Sequence, residues 1–225
     1  MTLVGILPAG GSGERLGAER PKAFAVLAGR PMIEWSLDVL HATCERVVVA
    51  VPASELDRAV PFTDRAGMPD PSEVSGGPSR SESVRNAVLA APEAEVFVVH
   101  DAARPLLTAD LVDRCVDALG EGVDGAIAAT PVTDTVKQAD AGGRVLATLD
   151  RAALWAVQTP QVFRADSLRR ALDVEPSVLA AATDDASLVE AAGGSIALVP
   201  SESENFKVTT ALDLRRAESV LANRC

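Results

Sequence analysis

At 225 residues, 48% of them hydrophobic, the chain is long enough to bury a full core and ordinary enough in composition to be globular. A net charge of −11 argues against a nucleic-acid partner, which needs a broad basic face, but leaves room for a small anionic ligand held by a local cluster of cations. Three widely spaced cysteines without a CxxC pair argue against a disulfide scaffold or a zinc site. No apolar run approaches the ~20 residues of a membrane span and no positive leader precedes the first one, so no membrane partner and a cytoplasmic location are expected.

Taken in chain order, short apolar runs alternate with helical periodicity. "LVGILPA" (3–9) reads as a buried strand that runs into a glycine-rich loop, and "PMIEWSLDVLHATC" (31–44) reads as a helix. "RVVVAVP" (46–52) is the next strand, "SRSESVRNAVLAA" (79–91) the next helix, and "EVFVVHD" (95–101) a strongly apolar strand. The helix at 108–120 has Thr108 as N-cap and Gly120 as its stop, and "DGAIAATPV" (124–132) is again a strand. "TDTVKQADAGGRVLATLDR" (133–151) breaks the rhythm: it alternates around an Ala-Gly-Gly turn and predicts a β-hairpin arm for dimerisation or for lidding a site. A helix at 183–194, a strand at 195–201 and a helix at 211–224 close the chain. The expectation is one domain, 1–225, of the α/β class: a Rossmann-like, mostly parallel sheet covered by helices on both faces, with a projecting arm at about 133–151. Ligands of such sheets lie beyond the carboxyl ends of the strands, which here means residues 10–22, 76–83 and 101–104.

The glycine loop fits neither standard phosphate-binding pattern. Gly11, Gly13 and Gly17 give GxGxxxG, one residue too long for the dinucleotide fingerprint, and Lys22 follows Pro21 and precedes Ala23 rather than Ser or Thr. What remains is a loop whose backbone N–H groups can meet anionic oxygens, carrying Arg15 and ending at Lys22; two fixed cations there suit a triphosphate, the alternative being a glycine turn with solvated charges. Asp101, at the end of an apolar strand, is placed to hold Mg²⁺, which takes few protein oxygens beside phosphates and water; the alternative is a cap on the next turn. Arg104 reads otherwise as a surface ion pair, and His100 as a packed residue. Of 21 basic residues only Lys22, Lys137 and Lys207 are lysine, which marks each as a position where a compact ammonium is wanted, although for Lys137 chance serves as well.

Together, "LPAGGSGERLGAERPKAF", "GGPSRSESV", "VHDAARP", "TLDRAALWAVQTPQVF", "ATDDAS" and "NFKVTT" resemble the 2-C-methyl-D-erythritol 4-phosphate cytidylyltransferases, over residues 7 to about 210. The glycine loop alone marks only the wider nucleotidyltransferase group. The resemblance implies the nucleotidyltransferase fold, a homodimer built through the arm, and CMP transfer from CTP to methylerythritol phosphate with Mg²⁺ and release of pyrophosphate. It implies catalytic roles for Arg15, Lys22, Arg151 and Lys207, and a metal ligand in Asp101. Nucleotide contacts fall on Pro8, Ala9, Gly10, Gly11, Gly13, Gly77, Ser83 and Ala102, and substrate contacts on Arg104, Thr135, Thr159 and Thr183. Pro78 departs from the family, which often has an acidic residue there. Two other readings stand beside this one: a ribitol 5-phosphate cytidylyltransferase of the same fold, and a non-catalytic nucleotide-binding protein, which should have lost Arg15, Lys22 or Asp101.

Overall fold

The computed structural model of the protein describes residues 1–11, 21–56 and 71–224. In chain order it forms β1 (Leu3–Pro8), the two-residue strands β2 (Val26–Leu27) and β3 (Arg30–Pro31), α1 (Met32–Thr43), β4 (Arg46–Val51), α2 (Ala53–Leu56), β5 (Ser72–Ser75), α3 (Arg80–Leu89) and β6 (Val96–Val99). There follow α4 (Ala109–Asp117), β7 (Gly125–Pro131), β8 (Lys137–Ala139), β9 (Val145–Thr148), β10 (Trp155–Arg164), α5 (Ala165–Leu172), α6 (Pro176–Ala181), α7 (Asp185–Ala191), β11 (Ile196–Pro200) and α8 (Ala211–Ala222).

Seven strands make one sheet in the order β11-β7-β10-β6-β1-β4-β5. Every pairing is parallel except those of β10, which runs antiparallel to both β6 and β7. The period-2 alternation of the strands divides their side chains between two helical layers. Val4, Ile6, Phe97 and Val99 pack on one side with Val84, Leu168 and Leu172, whereas Leu7, Val47, Val49 and Val98 pack on the other with Ile33, Leu37, Leu111 and Val112. A third cluster, with Leu27, Met32, Leu106, Val208 and Leu221, binds α8 and the segment before it to the body of the sheet.

The mostly parallel α/β sheet covered by helices is as expected, as is the hairpin, but β10 was not expected. Its sequence "WAVQTPQVFR" carries Gln158, Thr159, Pro160 and Gln161 where a buried strand is usually apolar. The β10–β7 register shifts between Val157 and Gln161, so Pro160, which has no N–H to give, falls in the irregular stretch. Helices α5 and α6 were also unforeseen. The predicted helix stops at Asp117 rather than Gly120, although Thr108 caps α4 as expected, its hydroxyl accepting from the Leu111 N–H.

Arginines supply many of the loop fastenings. Arg169 donates to the carbonyls of Ala91, Pro92 and Ala94, and Arg164 to those of Leu119, Gly120 and Val123. A guanidinium fork serves several carbonyls at once, which an ammonium does less well, and this accounts for much of the preference for arginine. Gly125 is fixed by packing, since a Cβ there would lie 2.4 Å from the Phe163 ring at the β7–β10 pairing. Gly125→Ala is expected to lower stability by about 1–3 kcal/mol, read as a shift in urea midpoint with unchanged m-value.

Candidate active site

The carboxyl ends of β1, β5 and β6 meet around a cavity of ≈ 240 Å³ lined by Pro8, Ala9, Gly10, Gly11, Lys22, Gly77, Ser83, Arg80, Asp101, Ala102 and Lys207, among others. Chain geometry brings these distant segments together. The Lys22 N–H donates to the Gly11 carbonyl at 2.9 Å, so the two ends of the glycine loop are tied, and Ala23 and Phe24 bury the short turn that follows. On the opposite wall, the Gly76 N–H donates to Val51 O, and Ser83 Oγ accepts from the Gly77 N–H at 3.0 Å while donating to Ser79 O at 2.9 Å. A Cβ on Gly77 would stand 2.4 Å from that of Glu82, so only glycine lets the backbone lie this close to the start of α3. The Ser79–Glu82 capping box fixes that helix end.

Asp101 is the electrostatic centre. Its Oδ1 accepts from Arg80 Nε at 2.9 Å and its Oδ2 from Lys207 Nζ at 2.7 Å. Burial opposes ionisation of this carboxyl, but Arg80 and Lys207 outweigh it and hold it well below the usual carboxylate range. Arg80 reaches on through Nη1 to Asp185 Oδ2 at 2.7 Å. Burial pushes the Asp185 carboxyl up from its usual range, against the pull of Arg80.

Behind Asp101 a chain of hydrogen bonds sets the turn 100–104. Thr159 Oγ1 accepts from the Asp101 N–H at 3.0 Å, so its own hydrogen goes to His100 Nδ1 at 3.1 Å, and His100 Nε2–H donates to Arg104 O at 3.0 Å. His100 is wholly buried, and burial depresses its pKa to about 4, which keeps the ring neutral for this task. Arg104 is buried too; Nη1 donates to Asn205 O at 2.7 Å, and among the described residues Nε has no partner and no carboxylate pairs with the guanidinium. Burial lowers the pKa of this guanidinium, partly offset by Asp101. It faces a second cavity, of ≈ 760 Å³, whose walls include Leu154, Trp155, Gln158, Thr159, Thr183 and Asp184. Arg80, Asp101 and Lys207 line both cavities and form the wall between them.

Most of the residues singled out in the sequence thus meet in two adjoining cavities. Thr159 turns its hydroxyl to the Asp101 turn, and Thr183 stands at the rim of the second cavity. Thr135 and Arg151 are exposed on and beside the arm and line neither cavity of their own chain; Arg151 Nη1 donates to Thr133 O. Arg15 and Gly13 lie outside the described residues. Sequence reasoning passed over Arg80 and Asp185, although both stand inside the quoted stretches "GGPSRSESV" and "ATDDAS". Among the described residues, no three His, Cys, Asp or Glu side chains gather into a metal cage, and no helix is long and apolar enough to cross a membrane.

Comparison with known proteins agrees with this geometry. The sequence profile of IspD, 2-C-methyl-D-erythritol 4-phosphate cytidylyltransferase, matches residues 3–223. The chain is 46% identical to the 2-C-methyl-D-erythritol 4-phosphate cytidylyltransferase of Nocardia farcinica, over 99% of this chain and 95% of that protein. It is 45% identical to the enzyme of the same name from Rubrobacter xylanophilus, over 98% and 95%. The crystal structure of the Thermus thermophilus 2-C-methyl-D-erythritol 4-phosphate cytidylyltransferase, 32% identical, superposes with a TM-score of 0.78, covering 99% of this chain and 100% of that one.

Proposed function

The chain belongs to the 2-C-methyl-D-erythritol 4-phosphate cytidylyltransferase family, and from that premise we propose how its residues carry the reaction. The enzyme transfers CMP from CTP to 2-C-methyl-D-erythritol 4-phosphate, giving 4-diphosphocytidyl-2-C-methyl-D-erythritol and pyrophosphate in isoprenoid precursor synthesis. A phosphate oxygen of the acceptor attacks the α-phosphorus of CTP; the bond to the β-phosphate oxygen breaks, and pyrophosphate leaves with its electron pair. Because the acceptor phosphate is already ionised, no strong general base is needed, and catalysis rests on positioning and on cations placed between crowded anions.

The observation that carries the assignment of roles is the shared wall of Arg80, Asp101 and Lys207 between the two cavities. CTP occupies the smaller cavity, its base held by Pro8, Ala9, Gly10, Gly11, Gly77, Ser83 and Ala102, with Lys22 at its phosphates; Arg15, outside the described residues, is given the same role on the family resemblance alone. The methylerythritol phosphate occupies the larger cavity, where the Arg104 guanidinium, which meets no carboxylate among the described residues, and the Lys207 ammonium meet an anion and Thr159 and Thr183 form part of the wall. The residues present fit Mg²⁺: one carboxylate at the boundary suits an ion that takes one or two carboxylates and otherwise phosphate oxygens and water. Asp101 would hold it, and the ion would supply charge neutralisation at the phosphates.

The arm exposes Val145, Leu146 and Leu149, and an isolated two-stranded hairpin is marginal in water. We place it against a second copy, where Thr135 and Arg151, which line neither cavity of their own chain, reach the acceptor phosphate of the partner. Deleting 137–147 is expected to convert a dimer to a monomer in light scattering; an unchanged dimer would refute the arm's role. A cytoplasmic location, where CTP is available, fits the free and buried Cys44 and Cys115.

Pyrophosphate release with CTP and Mg²⁺ tests the whole reading. Methylerythritol phosphate is the expected acceptor and ribitol 5-phosphate a poor one. Preference for ribitol 5-phosphate would overturn the substrate while leaving the mechanism.

A further inference from the structure

The wall between the cavities has a fourth member that lines neither of them. Asp185 is fully buried, its Oδ2 2.7 Å from Arg80 Nη1 and its Oδ1 without a partner among the described residues. It is held there deliberately by its neighbours. Gln161 on β10 donates through Nε2 to Asp184 Oδ2 at 2.8 Å and accepts through Oε1 from the Ala186 N–H at 3.3 Å. Asp184 Oδ1 in turn caps α7 at the Ser187 N–H. The first turn of α7 is thereby docked on the strand with Asp185 aimed at Arg80.

A buried carboxylate with one oxygen unsatisfied is a poor device for stability, because its desolvation is not fully offset by a single pairing. It is a good device for orientation. The guanidinium is planar, so fixing Nη1 on Asp185 fixes the direction of Nε, which points at Asp101 Oδ1. Asp185 also supplies a second carboxylate, so that Arg80 and Lys207 are matched by two negative charges rather than by Asp101 alone. Without it Arg80, whose side chain is only 27% exposed but opens onto both cavities, is held by its Nε bond to Asp101 alone, and its fork can turn toward the phosphates.

We propose that Asp185 is a positioning residue of the transfer, acting through Arg80 to hold the Asp101 carboxylate in place while touching neither substrate. This rests on the reading of Asp101 as a working group of the site. Asp185→Asn, which keeps the shape and removes the charge, is expected to lower kcat by about 10- to 100-fold, as for other outer partners of a site carboxylate, with little change in KM for either substrate. Arg80→Lys keeps a cation but cannot bridge both carboxylates, and should show a similar loss. The decisive measurement is the double variant. If Asp185 acts through Arg80, adding Asp185→Asn to Arg80→Lys costs no more than about twofold further, the scatter of independent effects.

Losses that multiply in the double variant would overturn the inference, as would wild-type kcat in Asp185→Asn. So would loss of the folded circular dichroism spectrum of Asp185→Asn at assay temperature, which would make the residue a stabilising one. Asp101→Asn in the same assay separates the two readings. Its full activity would remove the reading of the site itself, whereas an inactive Asp101→Asn beside a fully active Asp185→Asn overturns only the present inference.

Discussion

Lys22→Ala is expected to lower kcat by about 10²- to 10³-fold, the usual cost of removing one preorganised group from a developing charge. The backbone of Lys22 is tied to Gly11 and the turn behind it is buried, so the side chain leaves a fixed point on the wall of the nucleotide cavity. In the role proposed for it, Lys22 meets the charge that gathers on the α-phosphate during transfer without rearrangement. Since the gain is largest in the transition state, KM for CTP should move far less than kcat. Lys22→Arg should restore little, because a planar fork does not replace a compact ammonium in so small a cavity. The melting temperature should stay close to wild type. Retention of most of kcat in the alanine variant, by pyrophosphate release at saturating substrates, would remove Lys22 from the machinery.

Asp101→Asn should be at least as damaging, about 10³-fold in kcat, since a charge at the boundary of both cavities is lost while the shape is kept. Arg80 and Lys207, no longer separated by a carboxylate, would each be drawn to whichever anion arrives first. The fold should survive, because Asp185 still pairs with Arg80 and the Asp101 N–H still donates to Thr159. A pH corollary follows. The folded carboxyl of Asp101 titrates below its unfolded value, so its contribution to stability is complete above about pH 4 and is lost only as pH falls through the depressed folded value. An acid limb in kcat/KM near pH 6 therefore belongs to the second ionisation of the substrate phosphate, which lies at about 6 for a monoester. A limb that moved in the Asp101→Asn variant would contradict this.

The parts of the molecule written in local pattern were legible from the sequence. Val4–Leu7, Val47–Val51 and Val96–Val99 are near-continuous apolar runs, as buried parallel strands must be, and Thr108 signals a helix start that the structure bears out. Gly10–Gly11, Gly77 and Asp101 could be placed near one another because each follows a strand. What local pattern does not carry was missed. β10 is central, yet its middle is polar because Gln158, Thr159 and Gln161 spend their side chains on Asn205, the Asp101 turn and α7 rather than on the core. Asp185 and Arg80 lie 105 positions apart, and a single acidic residue at the start of a helix looks like part of a cap. The excess of arginine over lysine points, in the sequence, to the lysines. It equally reflected carbonyl fastening by residues such as Arg164 and Arg169, which only the folded chain reveals.

The place of β10 has a consequence for how the chain is made. On a ribosome the polypeptide emerges from its N-terminus at about 5–20 residues per second. Strands β1, β4, β5 and β6 can assemble as they appear, but β7 pairs only with β10 and β11, both of which come later. Until residue 164 has left the exit tunnel, the "VFVV" edge of β6 has no neighbour and β7 has no sheet to join. A nascent chain paused between residues 131 and 155 would thus display an open apolar strand edge, the kind of template that invites pairing with other chains. Holding chaperones should associate with arrested chains in that interval and release them once β10 has closed the gap.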